Sequence, residues 1–308
     1  MIDHFVRLGI VGIGNMGASH VENLIAKRIV RLELTAICDI NPDKLKPYAQ
    51  LKSFADAKDM IRSGLIDAVL VATPHFDHTS IGIDALEQGL HVLVEKPLSV
   101  HKADCERLIA AFHKRPNKGQ IFSCMFNQRT DPHYIKLREL IQNGELGEIR
   151  RINWIITDWF RSEAYYASGG WRATWRGEGG GILSNQCPHN LDLMQWLFGL
   201  PIRLRAHAHF GKWHNIETED AVTAYLEYEN GSTGVFVTTT GEAPGTNRLE
   251  VAAERGRVVI ENGKITFTRN VVSMSEFSRT TTGCFSRPET WSIDIPVNGN
   301  GGQHNEIL

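Results

Sequence analysis

An apolar run from Val6 to Val11 opens into Gly12, Gly14 and Gly17, and a helical pattern follows from about Asn15 to Ala26. A strand, a glycine turn and a helix start in that order restrict the chain to a small set of α/β folds. In a G-x-G-x-x-G turn the first glycine makes the tight bend, the second lets backbone approach a pyrophosphate, and the third lets the helix lie close on its strand. Phosphates then sit on unpaired N–H groups at a helix N-terminus, where the dipole also favours negative charge. A glycine turn alone is weak, but here a second strand, Leu32 to Cys38, ends in Asp39. That places an acid roughly twenty residues beyond the glycines, where it binds the ribose hydroxyls of NAD. Gly12, Ile13, Gly14, Asn15, Met16, Gly17 and Asp39 are therefore the expected dinucleotide contacts.

The pattern continues as alternating helix and strand: helix near Asn41 to Leu51, helical Ala55 to Arg62, strand Ala68 to Val71, helix His78 to Gln88 and strand His91 to Val94. Helix Lys102 to His113, strand Ile121 to Met125 and helix His133 to Asn143 complete the series. Short continuous apolar runs suit parallel strands buried on both faces, so the first half reads as a doubly wound parallel sheet, with a boundary near Asn127. Beyond a strand from Glu148 to Ile156 comes a long loop, Thr157 to Gly181, rich in Trp, Tyr, Arg and Gly. Loops of that length are usually functional. One helix, His189 to Phe198, is followed by strand-like segments with hairpin turns at Asn230-Gly231 and Asn262-Gly263, which predicts a mostly antiparallel open sheet. The expected division is 1–126 for the nucleotide-binding domain and 127–308 for an α+β domain serving substrate and oligomer contacts.

Lysine plus arginine at 33 against aspartate plus glutamate at 35 gives a net charge of −2, so no global field draws in nucleic acid or an anionic membrane. No apolar run approaches ~20 residues and the first strand starts close to Met1, so the expectation is a cytoplasmic protein. The five cysteines show no C-x-x-C spacing and read as buried thiols rather than disulfides or a zinc site. His207, His209 and His214 read as solvated sheet histidines, and no metal is expected.

Three further stretches carry chemistry. Thr73, Pro74 and His78 lie at the carboxyl end of a strand, where ligands bind in open α/β sheets; His78 reads either as a site residue or as a helix cap. Glu95-Lys96-Pro97 ends the next strand, and a lysine there can exchange a proton with a hydroxyl or carbonyl oxygen. Gly179-Gly180-Gly181 precedes Asn185, His189 and Asp192, and a helix starting near His189 puts His189 and Asp192 on one face, so the carboxylate can orient the imidazole. The rings and arginines of Trp159, Phe160, Arg161, Tyr165, Tyr166, Trp171, Arg172, Trp175 and Arg176 suit carbohydrate, since aromatic faces pack on sugar C–H surfaces and guanidinium forks donate to hydroxyls. Ordinary packing explains some of them equally well.

Together, the glycine motif, A-T-P-x-x-x-H at Ala72 to His78, Glu95-Lys96-Pro97-Leu98, Trp171-Arg172 and the G-G-G…H-x-x-D run resemble the glucose-fructose oxidoreductase and inositol dehydrogenase family, over nearly the whole chain. The resemblance implies a Rossmann domain, a C-terminal domain with a large open sheet used in homodimer or homotetramer contacts, NAD as cofactor, and a polyol, sugar or glycoside substrate. It implies proton transfer by Lys96 and His189, aided by Asp192 and Asn185. Thr73, Pro74, His78, Glu95, Lys96, Asn127 and Arg172 would join the cofactor contacts. Trp159, Tyr165, Trp171, Arg172, Asn185 and His189 would face substrate. Where many members carry aspartate four residues before the histidine, this chain has Asn185, which can orient a hydroxyl but cannot take its proton. The resulting expectation is an NAD-dependent dehydrogenase acting on a secondary hydroxyl. Its alternatives are redox-assisted glycoside cleavage with NAD retained, and a non-catalytic dinucleotide-binding regulator. The final Gly302 to Leu308 reads as a helix only just begun, so the expectation is a truncated chain or a tail not included in it.

Overall fold

The computed structural model describes residues 5–299 and 301–308. Backbone packing divides the chain into two units. The first runs to Phe126 and takes in Trp175–Gly179 and His304–Leu308; the second comprises Asn127–Thr174 and Gly180–Gln303. Two short pieces of the expected 127–308 domain thus group with the first unit instead. Ile307 and Leu308 explain the second of these, because both pack on the apolar cluster around Ile10, Val21 and Leu70.

The first unit is a six-stranded parallel sheet in the order β3-β2-β1-β4-β5-β6. Its strands are β1 Val6–Val11, β2 Leu32–Cys38, β3 Lys52–Phe54, β4 Ala68–Val71, β5 His91–Val94 and β6 Phe122–Cys124. Its helices are α1 Asn15–Ile25, α2 Ala57–Ile61, α3 His78–Glu87 and α4 Lys102–Lys114. Order reverses across β1 and β4, the switch point where ligands bind such sheets. Helix α1 buries Gly17, His20, Val21 and Leu24, a spacing that holds one stripe against the sheet. The helix expected over Asn41 to Leu51 is instead two 3-10 turns, Pro42–Lys44 and Lys46–Tyr48, followed by β3. Pro47 has no N–H and its ring collides with the carbonyl four residues back, so a continuous α-helix cannot pass through it.

The second unit packs α5 Pro132–Gln142 and α7 Pro188–Phe198 against an eight-stranded sheet. Its strands are β7 Ile149–Ile156, β8 Arg203–Phe210, β9 Glu219–Glu227, β10 Thr233–Thr239, β11 Asn247–Ala253, β12 Gly256–Glu261, β13 Lys264–Asn270 and β14 Thr290–Ile295. The order is β14-β13-β12-β11-β7-β10-β9-β8, antiparallel except between β7 and β10. Trp154 is fully buried at its centre, edge-on to Phe236 and tilted against Tyr134. Both expected hairpins form: Gly231 has φ +82°, and Asn262 and Gly263 both have positive φ, the conformation that a tight two-residue turn requires. The loop from Thr157 holds a short helix, α6 Glu163–Ala167, whose Ser162 side chain accepts from the Tyr165 N–H. Helix α8, Met274–Thr280, was not anticipated from the sequence.

Candidate active site

In the first unit the glycine turn is built as its spacing requires. A Cβ on Gly17 would stand 1.8 Å from the Gly12 carbonyl oxygen, and Gly12 has φ +91° with Ala72 backbone within 2.7 Å of its missing side chain. Gly14 differs, since nothing lies within 4 Å of where its Cβ would be. It is the N-cap of α1 and no side chain caps that helix, so the first N–H groups face open space at the positive end of the dipole. Gly14, Asn15 and Met16 are exposed there. The opening fits a pyrophosphate.

Asp39 follows β2 directly. One carboxylate oxygen accepts from the Ile13 N–H at 2.7 Å and the other from the Asn41 N–H at 2.8 Å. It therefore pins the glycine turn, while each oxygen keeps a second lone pair for a ribose hydroxyl. Thr73, next to Gly12, has a buried hydroxyl with no hydrogen-bond partner among the described residues, an unspent donor beside the same turn. These features fit an NAD-type dinucleotide.

Three expected cofactor contacts are engaged with other parts of the protein. His78 is fully buried, its ring nitrogens 2.9 Å from the carbonyl oxygens of Pro97 and Thr73, so it ties two sheet-end loops together rather than facing a ligand. Burial pushes the His78 imidazole below the ordinary histidine value, against the opposing pull of those carbonyls. Glu95 is only 4% exposed. His20 lies 2.7 Å from one of its oxygens, and the Lys96 N–H donates to the other at 3.2 Å. Burial raises the Glu95 carboxyl, but the bond to His20 and the charges of His20, His304 and Lys96 outweigh it and hold the group below the usual carboxylate range. Glu95 thus supports the backbone of Lys96 from inside the unit. Asn127 is buried and donates to the Gly302 carbonyl in the second unit. Sequence reading missed His20, whose partner lies 75 residues away.

In the second unit the Tyr165 hydroxyl gathers Arg172 at 2.9 Å and the amides of Asn185 and Gln186 at 3.2 Å. The Arg172 guanidinium also lies 4.6 Å from the Tyr165 ring centre and 4.9 Å from that of Trp171. Four of the expected substrate residues are therefore in one cluster, with Gln186 added. His189 stands in the first turn of α7, 8% exposed, four residues beyond Asn185. A cleft of about 550 Å³ lies beside Arg172, lined by Glu163, Tyr166, Thr174, Asn215 and Glu217, a size and polarity suited to a small hydroxylated ligand.

Two expectations need correction here. Asp192 gives both oxygens to the Arg129 guanidinium, at 2.7 and 2.6 Å, and so anchors α7 rather than orienting His189. Arginine takes a carboxylate bidentately whenever it can reach one, and sharing a helix face does not compete with that geometry. Asp192→Asn is accordingly expected to lower stability by about 1 kcal/mol while leaving the pH profile of turnover unmoved, as thermal unfolding and pH–rate curves will check. Trp159 packs its ring on the apolar core, and its buried indole N–H has no hydrogen-bond partner among the described residues. Among the histidines read as solvated, His207 and His209 lie on exposed β8, but His214 is buried, with Nδ1 3.1 Å from Asp220. Among the described residues no cluster of His, Cys, Asp and Glu suits a metal ion. No helix among them is long and apolar enough to cross a membrane.

Residues 6–122 match the description "Oxidoreductase family, NAD-binding Rossmann fold", and residues 134–259 match "GFO/IDH/MocA C-terminal domain". The chain is 27% identical over 269 residues to a myo-inositol 2-dehydrogenase of Thermotoga maritima, covering 83% of this chain and 75% of the relative. An inositol 2-dehydrogenase of Salmonella typhimurium is 33% identical over 148 residues, 46% of this chain and 43% of that one. The WlbA dehydrogenase from Bordetella pertussis, solved in complex with NADH and UDP-GlcNAcA, is similar with a TM-score of 0.78 at 27% identity, covering 85% of this chain and 78% of that one. With both halves matched, the chain belongs to the GFO/IDH/MocA family and is an NAD-binding oxidoreductase.

Proposed function

We propose that this enzyme oxidises a secondary hydroxyl of a cyclic polyol, sugar or glycoside. The observation that carries the reading is the convergence of Arg172, Asn185 and Gln186 on the Tyr165 hydroxyl beside a polar cleft. These are neutral amides, an aromatic hydroxyl and a planar cation, which match a ligand rich in hydroxyl groups and poor in charge. The similarity to inositol dehydrogenases supports the same substrate class. When bound, NAD supplies the hydride acceptor. His189 or Lys96 takes the hydroxyl proton as the C–H bond breaks, while Asn185 orients the hydroxyl without accepting its proton. The test is NAD reduction, followed as NADH appearance, across inositols, aldoses, anhydrosugars and glycosides. Turnover of at least one with stoichiometric NADH is expected. Substrate loss without net NADH would point to redox-assisted cleavage, and NAD binding without any turnover would point to a regulator.

Asp39 leads to a prediction about cofactor choice. A carboxylate at this strand end repels a 2′-phosphate and accepts from a free hydroxyl, so NAD is expected to be preferred to NADP. Asp39→Ser narrows that gap, and it also weakens NAD binding because the Ile13 N–H loses its acceptor. Equal kcat/KM for the two cofactors in the unmutated enzyme would refute the assignment.

We also propose that the open face of the second sheet is covered by another copy of the chain. Edge strand β8 is exposed along its whole length, and on the face away from the core Tyr225 (42% exposed) and Ile155 (38% exposed) present large apolar groups. Open apolar sheets of this size are a liability in a monomer. Light scattering at micromolar concentration is expected to return a dimer or tetramer mass; a monomer mass would sink the proposal.

A further inference from the structure

The substrate cluster of the second unit hangs on two loops, and both are tied to one dipeptide that sequence reading passed over. Glu219 and Asp220 open β9, are 6% and 0% exposed, and belong to no ion pair with Lys or Arg among the described residues. The Glu219 carboxylate accepts from the N–H of Gly181 at 3.0 Å and of Leu183 at 3.1 Å, and its own carbonyl accepts from the N–H between them, Ile182, at 2.9 Å. The approach is so close that a Cβ on Gly181 would stand 2.0 Å from the Glu219 carbonyl oxygen. From this anchor the chain folds back on itself: Ser184 and Asn185 N–H donate to the Gly181 carbonyl, and Gln186 and Cys187 N–H to that of Ile182. Asn185 and Gln186 leave this turn to reach Tyr165, and α7 with His189 begins immediately after it.

Asp220 performs the same service for the other loop. Its carboxylate accepts from the N–H groups of Lys212 at 3.0 Å, Trp213 at 2.7 Å and His214 at 3.1 Å, and from the His214 ring at 3.1 Å. The far ring nitrogen of His214 lies 2.9 Å from the Arg161 carbonyl, and the Tyr166 ring packs 4.8 Å from the His214 ring. The segment that carries Tyr165 and Tyr166 is thus held through His214. The pairing of β8 with β9 shifts at this point, with Phe210 opposite Glu219 and His209 opposite Ala221, so Asp220 is the extra residue of a β-bulge. Bulges re-aim side chains, and here two successive carboxylates serve two different loops. Buried carboxylates that collect several N–H donors make strong, charge-assisted bonds that fix backbone rather than side-chain positions.

We propose that Glu219 and Asp220 are the positioning residues of the substrate site: Glu219 sets the Gly181–Cys187 turn that presents Asn185 and His189, and Asp220 sets, through His214, the segment that presents Tyr165. This rests on the proposed function for its catalytic meaning, but the anchoring is measurable without turnover. Amide hydrogen exchange on the full chain provides the crossed test. Glu219→Gln is expected to speed exchange at Gly181 and Leu183 by about tenfold or more and to leave Lys212 to His214 unchanged; Asp220→Asn should do the reverse. In steady-state assays with the best substrate of the panel, both raise the KM for that substrate and lower kcat, with the KM for NAD unmoved, and Glu219→Gln falls between the parent and Glu219→Ala because it keeps one acceptor. Equal loosening of both loops in both variants overturns the proposal, as does unchanged exchange at Gly181 and Leu183 in Glu219→Gln. Should a variant fail to fold, the unmodified chain still decides, since fast exchange at Gly181, Leu183 and Trp213 in that chain also overturns it. A panel without turnover sinks the functional reading and leaves the exchange pattern to stand or fall by itself.

Discussion

Lys96→Ala and His189→Ala are each expected to lower kcat by about a hundredfold or more while NAD affinity stays nearly intact. General acid–base groups act mainly in the transition state, so their removal shows in kcat rather than in cofactor binding. The surroundings favour a clean result. The backbone of Lys96 is held by Glu95, itself locked to buried His20, so truncating the lysine does not release the loop. His189 sits on α7, which Leu193, Leu197 and the Arg129–Asp192 clamp anchor independently of the imidazole. Asn185→Asp should retain activity with a shifted pH profile, because a carboxylate at that position can share the proton. Near-full kcat in His189→Ala would move the base to Lys96 or to a water held by a tyrosine. Tyr166 itself is a poor candidate base, since burial pushes its hydroxyl up to about 12 and that hydroxyl already donates to Thr240.

The parts of this protein that were legible in its sequence are those written in local periodicity. The glycine turn, Asp39 at a strand end, the short apolar runs of β4 and β5, and the Asn262-Gly263 hairpin each carry their cause within a few residues. What stayed hidden depends on partners far apart in the chain. Asp192 was assigned to His189 because the two share a helix face, whereas its partner Arg129 lies 63 residues away. Glu95 was assigned to the cofactor, yet its partner His20 is 75 residues away. Glu219 and Gly181 are separated by 38 residues, and nothing local distinguishes Glu219 and Asp220 from a solvated acidic pair. The helix expected over Asn41 to Leu51 failed for a local reason that was visible, since Pro47 interrupts it. Buried polar residues thus required the fold before their roles could be read, while apolar ones did not.

Gly14→Ala and Gly17→Ala are expected to separate cofactor binding from folding. Gly17→Ala forces a Cβ to 1.8 Å from the Gly12 carbonyl oxygen, and the obstacle is backbone in the turn itself. Helix α1 must then lift from β1, uncovering Val21 and Leu24, with a loss of about 1–3 kcal/mol or more. Thermal unfolding should show a marked drop in Tm, and NAD binding should fall with it. Gly14 has φ −79° and ψ −160°, a conformation open to any L-residue, and empty space around its missing Cβ. Gly14→Ala should therefore leave Tm unchanged, or raise it by the few tenths of a kcal/mol that a less flexible unfolded chain contributes. Its added methyl group instead occupies the space through which the backbone approaches a pyrophosphate at the start of α1. NAD affinity should fall by about tenfold or more, as for any lost close approach to a charged group, in a protein that remains fully folded. Titration of NAD against both variants, with Tm measured in the same buffer, gives the comparison. A Gly14→Ala protein that binds NAD as tightly as the parent would remove the pyrophosphate from this turn, and with it the physical basis for placing the ribose on Asp39.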